Sequence, residues 1–194
     1  MISFVYFDLG GVVIKDFSGT DKWQEMKNAI GISAEQNSRF DAWYDQAEKD
    51  LCESKAHFDL QFENVTLTLN DFVSRFEKNP SIGPVITEIH KKFPVGLLTN
   101  MYPGMFEAIK NRGLLPDVSW DIIIDSSIEK SAKPDPDIYK LAQKRVNASG
   151  PEILFIENTP GNITPAQKLG WQTFLYDPTH PIDSSRKLLE YTRK

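Results

Sequence analysis

The sequence predicts an α/β fold: a parallel sheet with helices on both faces, interrupted once by a helical insertion. Two observations carry that prediction. Five short, mostly apolar runs at 4–7, 94–98, 120–124, 152–156 and 171–176 alternate with stretches of helical periodicity across short links. That is the rhythm of parallel strands joined by covering helices. From Lys15 to Glu88 the β-branched texture gives way to charge and aromatics at helical spacing, which marks the insertion.

Each element has its own reason. Phe4-Val-Tyr-Phe7 is aromatic and β-branched without charge, a strand buried on both faces, and Gly10-Gly11 breaks it just after Asp8. In the insertion, Trp23, Met26, Lys27 and Ile30 begin one helical stripe; Phe40, Trp43, Tyr44 and Ala47 form another. Thr68-Leu-Asn-Asp71 reads as a helix start ahead of Phe72, Val73 and Phe76, and 79–84 as a turn-rich joint. These stripes give three or four helices whose aromatics pack together. The α/β rhythm then resumes: helix 85–92, strand 94–98 ending at Thr99-Asn100, helix 104–111, strand 120–124 ending at Asp125-Ser126-Ser127. Helix 137–147, strand 152–156 ending at Glu157-Asn158, helix 164–169, strand 171–176 and a short helix from Asp183 complete the chain.

Composition sets the bounds. The chain has 194 residues, 40% hydrophobic and 25% charged, ordinary for a globular protein. Lys+Arg 22 against Asp+Glu 27 leaves a net charge of −5, with no basic stripe, so nucleic acid is not an expected partner. The one cysteine, Cys52, excludes an internal disulfide, a cysteine zinc site and a CxxC redox motif. No apolar run reaches membrane length and no secretory leader pattern opens the chain, so no membrane partner and a cytoplasmic location are expected.

Asp8, Thr99-Asn100, Asp125-Ser126 with Lys133 just beyond, and Glu157-Asn158 all stand at strand ends. In a parallel sheet those ends share one edge, where α/β folds bind ligands. Here the chain resembles the haloacid dehalogenase-like hydrolase superfamily. The resemblance runs through Phe7-Asp8-Leu9-Gly10-Gly11-Val12, Leu97-Leu98-Thr99-Asn100, Lys133-Pro-Asp-Pro-Asp-Ile-Tyr139 and Phe155-Ile-Glu157-Asn158-Thr-Pro-Gly-Asn162. It implies a Rossmann-like core over residues 1–14 and 89–194, with an all-helical cap, residues 15–88, inserted after the first motif.

The resemblance also implies a mechanism. Asp8 would attack phosphorus to form an aspartyl-phosphate, Thr99 and Asn100 would hold phosphoryl oxygens, and Lys133 would neutralise charge. Mg²⁺ would sit on Asp8, the Gly10 carbonyl and Glu157. Two positions depart from the family pattern. Gly10 stands where phosphatases carry a second Asp for acid–base work, and Glu157-Asn158 replaces two consecutive Asp. Three readings follow: a Mg²⁺-dependent phosphatase on a small phosphorylated metabolite, a non-catalytic or weakly active binding or regulatory protein of the same fold, and a 2-haloacid dehalogenase. The dehalogenase reading lacks the arginine expected early in the cap, where the insertion has only Arg39 and Arg75. Trp43, Tyr44, His57 and Phe58 are the cap residues from which a specificity surface could come. A monomer and a homodimer are both compatible with the cap aromatics.

Overall fold

The computed structural model describes residues 1–56, 58 and 60–193; His57 lies outside the described residues. The chain begins with β1 (Phe4–Phe7) and β2 (Ile14–Lys15), followed by α1 (Lys22–Ala29) and α2 (Asn37–Cys52). Next come β3 (Leu60–Phe62), β4 (Val65–Leu67), α3 (Leu69–Val73), β5 (Glu77–Lys78) and α4 (Ile82–His90). The remainder is β6 (Val95–Thr99), α5 (Met105–Asn111), β7 (Ile122–Asp125), α6 (Ser126–Glu129), α7 (Pro136–Val146), β8 (Ile153–Glu157), α8 (Pro160–Lys168), β9 (Gln172–Leu175) and α9 (Pro181–Tyr191).

Five strands form one sheet in the order β7-β6-β1-β8-β9, every pair parallel. The pleat of β1 explains its composition. Val5 and Phe7 face one layer, with Ile82, Ile86, Ile89, Ile109 and Leu188 from α4, α5 and α9. Phe4 and Tyr6 face the other, with Ile138, Tyr139, Ala142, Ala166 and Trp171 from α7, α8 and the turn before β9. Both faces are dry, so the strand reads as an unbroken apolar run.

The insertion hangs on a ribbon. β2 pairs antiparallel with β5, Ile14 opposite Lys78 and Lys15 opposite Glu77, so the outgoing and returning chains are joined at their base. Above it α1 and α2 pack through Trp23, Met26, Phe40 and Tyr44, with Phe17, Phe62 and Phe72 completing an aromatic cluster. Lys27 belongs to the same interior, buried at 2% exposure, because its ammonium meets both oxygens of Asp41 on α2 at 2.9 Å. α3 starts where Thr68 predicts, the Thr68 N–H donating to Asp71 Oδ2 at 2.7 Å.

The insertion is not all-helical. β3 and β4 make an antiparallel hairpin across Glu63-Asn64, with Glu63 in the left-handed region at φ 53°. Leu60, Phe62, Val65 and Leu67 alternate with polar Gln61 and Thr66, a period of two that a helix cannot bury on one side. The division between residues 88 and 89 falls inside α4, which packs against α9 and β6. α8 starts at Pro160, four residues before the expected Thr164, because proline at a first helical position sacrifices no hydrogen bond.

Asn79 pins the ribbon to the core. It is 6% exposed, and its amide donates to Val12 O at 2.7 Å and Tyr176 Oη at 3.0 Å while its oxygen accepts from Ser81 Oγ at 2.7 Å. Asn79→Ala is expected to lower unfolding free energy by about 1–3 kcal/mol, since a buried carbonyl and hydroxyl lose a donor or acceptor. Urea denaturation measures it; an unchanged midpoint would mean the joint is not anchored there.

Candidate active site

Asp8 follows β1, Thr99 ends β6, Asp125 ends β7 and Glu157 ends β8. The chain builds outward from β1 through β6 to β7, then crosses to β8 on the other side of β1. The strand order therefore reverses at β1, where the loops part and leave a crevice. Asp8 stands at that point.

Lys133 binds the site together from the loop before α7. Its ammonium lies 2.8 Å from Asp8 Oδ1 and 2.7 Å from Glu157 Oε2, with side-chain exposures of 1%, 11% and 0% in that order. Asp8 Oδ1 also accepts from the Leu9 N–H at 2.7 Å. Asn100 holds the lysine's backbone from both sides, donating to Lys133 O and accepting from Lys133 N–H, each at 2.8 Å. Glu157 is fully engaged: Oε1 accepts from the Asn158 and Thr159 N–H groups at 2.9 Å, and Oε2 from Lys133 and from Asn162 at 3.2 Å.

Two buried carboxylates thus face one ammonium. Burial first, and the Glu157 charge second, push the Asp8 carboxyl up to about 7 against the opposing pull of Lys133. Burial alone would lower Lys133, but the attraction of Asp8 and Glu157 wins and its pKa lies above the ordinary value.

The Asn158 amide closes one side. One terminal atom stands 3.0 Å from Gly10 O and 3.1 Å from Glu157 Oε1, the other 3.2 Å from Ser18 Oγ. With nitrogen inward, the amide donates to both oxygens and accepts from Ser18. This approach needs Gly11, whose φ is 74° and whose Cβ, were there one, would lie 2.5 Å from Asn158 Nδ2.

A cavity of about 240 Å³ opens above Asp8, walled on the core side by Asn100, Met101, Tyr102, Lys133 and Asn162. The insertion side supplies Asp16, Phe17, Ser18, Glu48, Cys52, Phe72 and Phe76. Glu48 Oε1 accepts from Tyr102 Oη at 2.9 Å, and Tyr102 also bonds the Tyr44 hydroxyl. Burial raises the Cys52 thiol far above its ordinary pKa, so it is no thiolate. Burial likewise raises Asp16, which Ser18 hydrogen bonds partly offset.

The haloacid dehalogenase-like hydrolase family matches residues 2–170. The chain belongs to that family. Among curated proteins, acyl-CoA dehydrogenase family member 10 of Mus musculus is 28% identical over 100 residues, 50% of this chain and 9% of that one. A phosphorylated carbohydrates phosphatase of Thermotoga maritima is 23% identical over 119 residues, 61% of this chain and 55% of that one. The chain therefore spans about half of the second relative and a small part of the first. Among solved structures, a HAD-like family hydrolase from Porphyromonas gingivalis superposes with TM-score 0.74 at 22% identity over 97% of this chain and 98% of the other. A HAD family enzyme from Bacteroides thetaiotaomicron, crystallised with magnesium and inorganic phosphate, gives TM-score 0.69 at 19% identity over 91% and 94%.

Within this hydrolase fold the structure gathers Asp8, Lys133 and Glu157 into one network, with Gly10 and Asn100 each one contact away. Thr99 Oγ1 is buried without a partner. Asp125 turns aside: it caps α6, accepting from Ser127 N–H and Oγ at 2.8 Å. Trp43 packs on Phe40 and Phe62 inside the insertion, whereas Phe58 packs on Phe72 and on Tyr102 of the core, bridging the two. Asp16, Glu48 and Tyr102 are among the cavity residues that the motifs do not mark. The one sequence signal for Asp16 is Gly10-Gly11, two absent side chains after a buried strand, which leave space for another group.

Asp8 makes the site a burden on the fold. Its folded pKa of about 7 exceeds the unfolded 3.8, so the folded state holds the proton more tightly. Its contribution is favourable below about pH 4 and is lost as pH rises toward 7. Asp8→Asn should melt above the parent at about pH 8 in chelator, with the gap closing toward about pH 4. A parent that melts higher at the alkaline end would show that the Lys133 ion pair outweighs burial.

Proposed function

We propose that the chain is a Mg²⁺-dependent phosphatase that acts on a small phosphorylated metabolite through an aspartyl-phosphate at Asp8. The observation that carries this reading is the asymmetric fixing of Asp8. Oδ1 is tied to Lys133 and to Leu9 N–H, and Oδ2 has no hydrogen bond among the described residues. A nucleophile held by one oxygen and free at the other is aimed before substrate arrives.

The surrounding groups suit a phosphoryl transfer. Lys133 has a third N–H beyond those given to Asp8 and Glu157, available to a phosphoryl oxygen. Thr99 ends the strand beside β1 with an unpartnered hydroxyl, fully buried behind the cavity wall and not part of its lining. The cavity of about 240 Å³ has room for a small ester, and a neighbouring one of about 760 Å³ shares Glu48, Asn100 and Lys133 with it. No arginine lines the cavity among the described residues, which disfavours a free carboxylate substrate and with it the dehalogenase. The Thermotoga relative's name and the Bacteroides complex agree with a phosphoryl substrate.

The donor set fits a hard divalent cation. Asp8, Gly10 and Asn158 bring oxygen-bearing groups to one wall of the cavity, the hard ligand type that Mg²⁺ takes. Asp8, the Gly10 carbonyl and the Asn158 amide oxygen would hold the ion, with Glu157 Oε1 behind them. Its chemistry there is charge neutralisation: a phosphate dianion enters a cavity lined by Asp8, Asp16 and Glu48 against Lys133 alone.

Phosphate release from an aryl phosphate and a panel of sugar phosphates, with and without Mg²⁺, tests the reading. Metal-dependent turnover that Asp8→Asn abolishes is expected; no turnover from folded protein would favour the binding role. Thr99→Val should cut turnover about 10²-fold while leaving stability equal or higher, because it deletes a buried hydroxyl without a partner. Asn158→Asp should tighten Mg²⁺ binding in calorimetry, and an unchanged Kd would show that residue 158 does not reach the ion.

A further inference from the structure

The phosphatase reading leaves one requirement unmet. The leaving alkoxide needs a proton and the water that cleaves the aspartyl-phosphate must lose one, yet Gly10 has no side chain for either task. We propose that Asp16 is the general acid and base of this site, reaching from the base of the insertion into the space that a side chain at position 10 would fill. The inference rests on the phosphatase reading and names a residue which that reading does not use.

The geometry is specific. A Cβ built on Gly10 would overlap Asp16 Oδ2 and lie 3.3 Å from Asp16 Cγ. The Asp16 carboxylate therefore occupies the place where a residue-10 side chain would begin, and it lines the same cavity as Asp8 and Lys133. One of its oxygens is anchored, Oδ1 accepting from Ser18 N–H at 2.8 Å. Oδ2 has no hydrogen bond among the described residues. Asp16 directly follows β2, so pairing with β5 fixes its position.

The other proton carriers in the cavity are committed. Lys133 is shared between two carboxylates, and Glu48 accepts from Tyr102. The chemistry balances with Asp16 alone. In the first step Asp8 Oδ2 bonds phosphorus, the ester P–O bond breaks, and the Asp16 carboxyl gives its proton to the leaving oxygen. In the second, the Asp16 carboxylate takes a proton from water, the water oxygen bonds phosphorus, and the bond to Asp8 breaks. Alcohol and inorganic phosphate leave, and both aspartates are restored.

The test compares two esters that differ in their need for a proton. The probes are para-nitrophenyl phosphate, whose leaving group departs as an anion, and the sugar phosphate from the panel that turns over best. Asp16→Asn is expected to lose about 10²–10⁴-fold in kcat/KM on the sugar phosphate. On the aryl ester it should give a burst of nitrophenolate, one per enzyme, followed by a slow steady state as the phosphoenzyme accumulates. Gly10→Asp combined with Asp16→Gly returns a carboxylate from the other side and should exceed Asp16→Gly alone at least about tenfold on the sugar phosphate. Wild-type turnover with Asp16→Asn unchanged, or equally reduced on both esters without a burst, would overturn the role of Asp16 and leave the phosphatase standing. Wild-type protein that hydrolyses neither ester would overturn both.

Discussion

Everything at the sheet edge depends on one buried ion cluster, Lys133 between Asp8 and Glu157. Charges taken out of water are stable only when each is met by a partner and its remaining hydrogen-bonding capacity is filled. Adjacent strands β1 and β8 bring the two acids side by side, and Asn100 clamps the lysine's backbone. Asn162 and two N–H groups complete Glu157, and the Phe155 ring lies 5.3 Å from the ammonium. Two carboxylates share one ammonium, and after burial itself it is the Glu157 charge that lifts the Asp8 carboxyl. Glu157 holds Lys133 on one oxygen and the Asn158 and Thr159 N–H groups ahead of α8 on the other.

How much of this was legible in the sequence follows from what each element buries. The sheet strands were plain because both faces are dry, and continuous apolar runs such as Phe4–Phe7 and Ile153–Ile156 have no other good explanation. The ribbon of β2 and β5 was not legible: strands of two residues carry no period, and their pairing is set by the fold on either side. The β3–β4 hairpin did alternate, yet its eight residues lie among aromatic stripes of helical spacing that dominate any window around them.

The site divides the same way. Asp8, Thr99, Lys133 and Glu157 sit at strand ends or in a motif, where position alone argues for chemistry. Asp16, Glu48 and Tyr102 reach the cavity through tertiary packing, which no local pattern announces for Glu48 and Tyr102 and only the paired glycines hint at for Asp16. Asp125 had the right position and the wrong direction, because a two-residue reach to Ser127 satisfied it first. Asn158 shows a subtler limit. Its loss of charge was visible, but its amide contact with the Gly10 carbonyl depends on Gly11 giving it room.

The ribbon has a consequence for how this protein could change over generations. Ile14–Lys15 and Glu77–Lys78 hold the ends of the insertion together, so the fold closes the loop at its base whatever lies between. Lengthening such a loop costs little, about 0.6 kcal/mol for each doubling. The segment between the two short strands could therefore be exchanged for one of another size, reshaping the insertion side of the cavity, while Asp8 and Lys133 stay where the sheet has put them. Asp16 is the first residue past the clasp on the insertion side, so a replaced segment keeps that carboxylate only if its opening residue is retained.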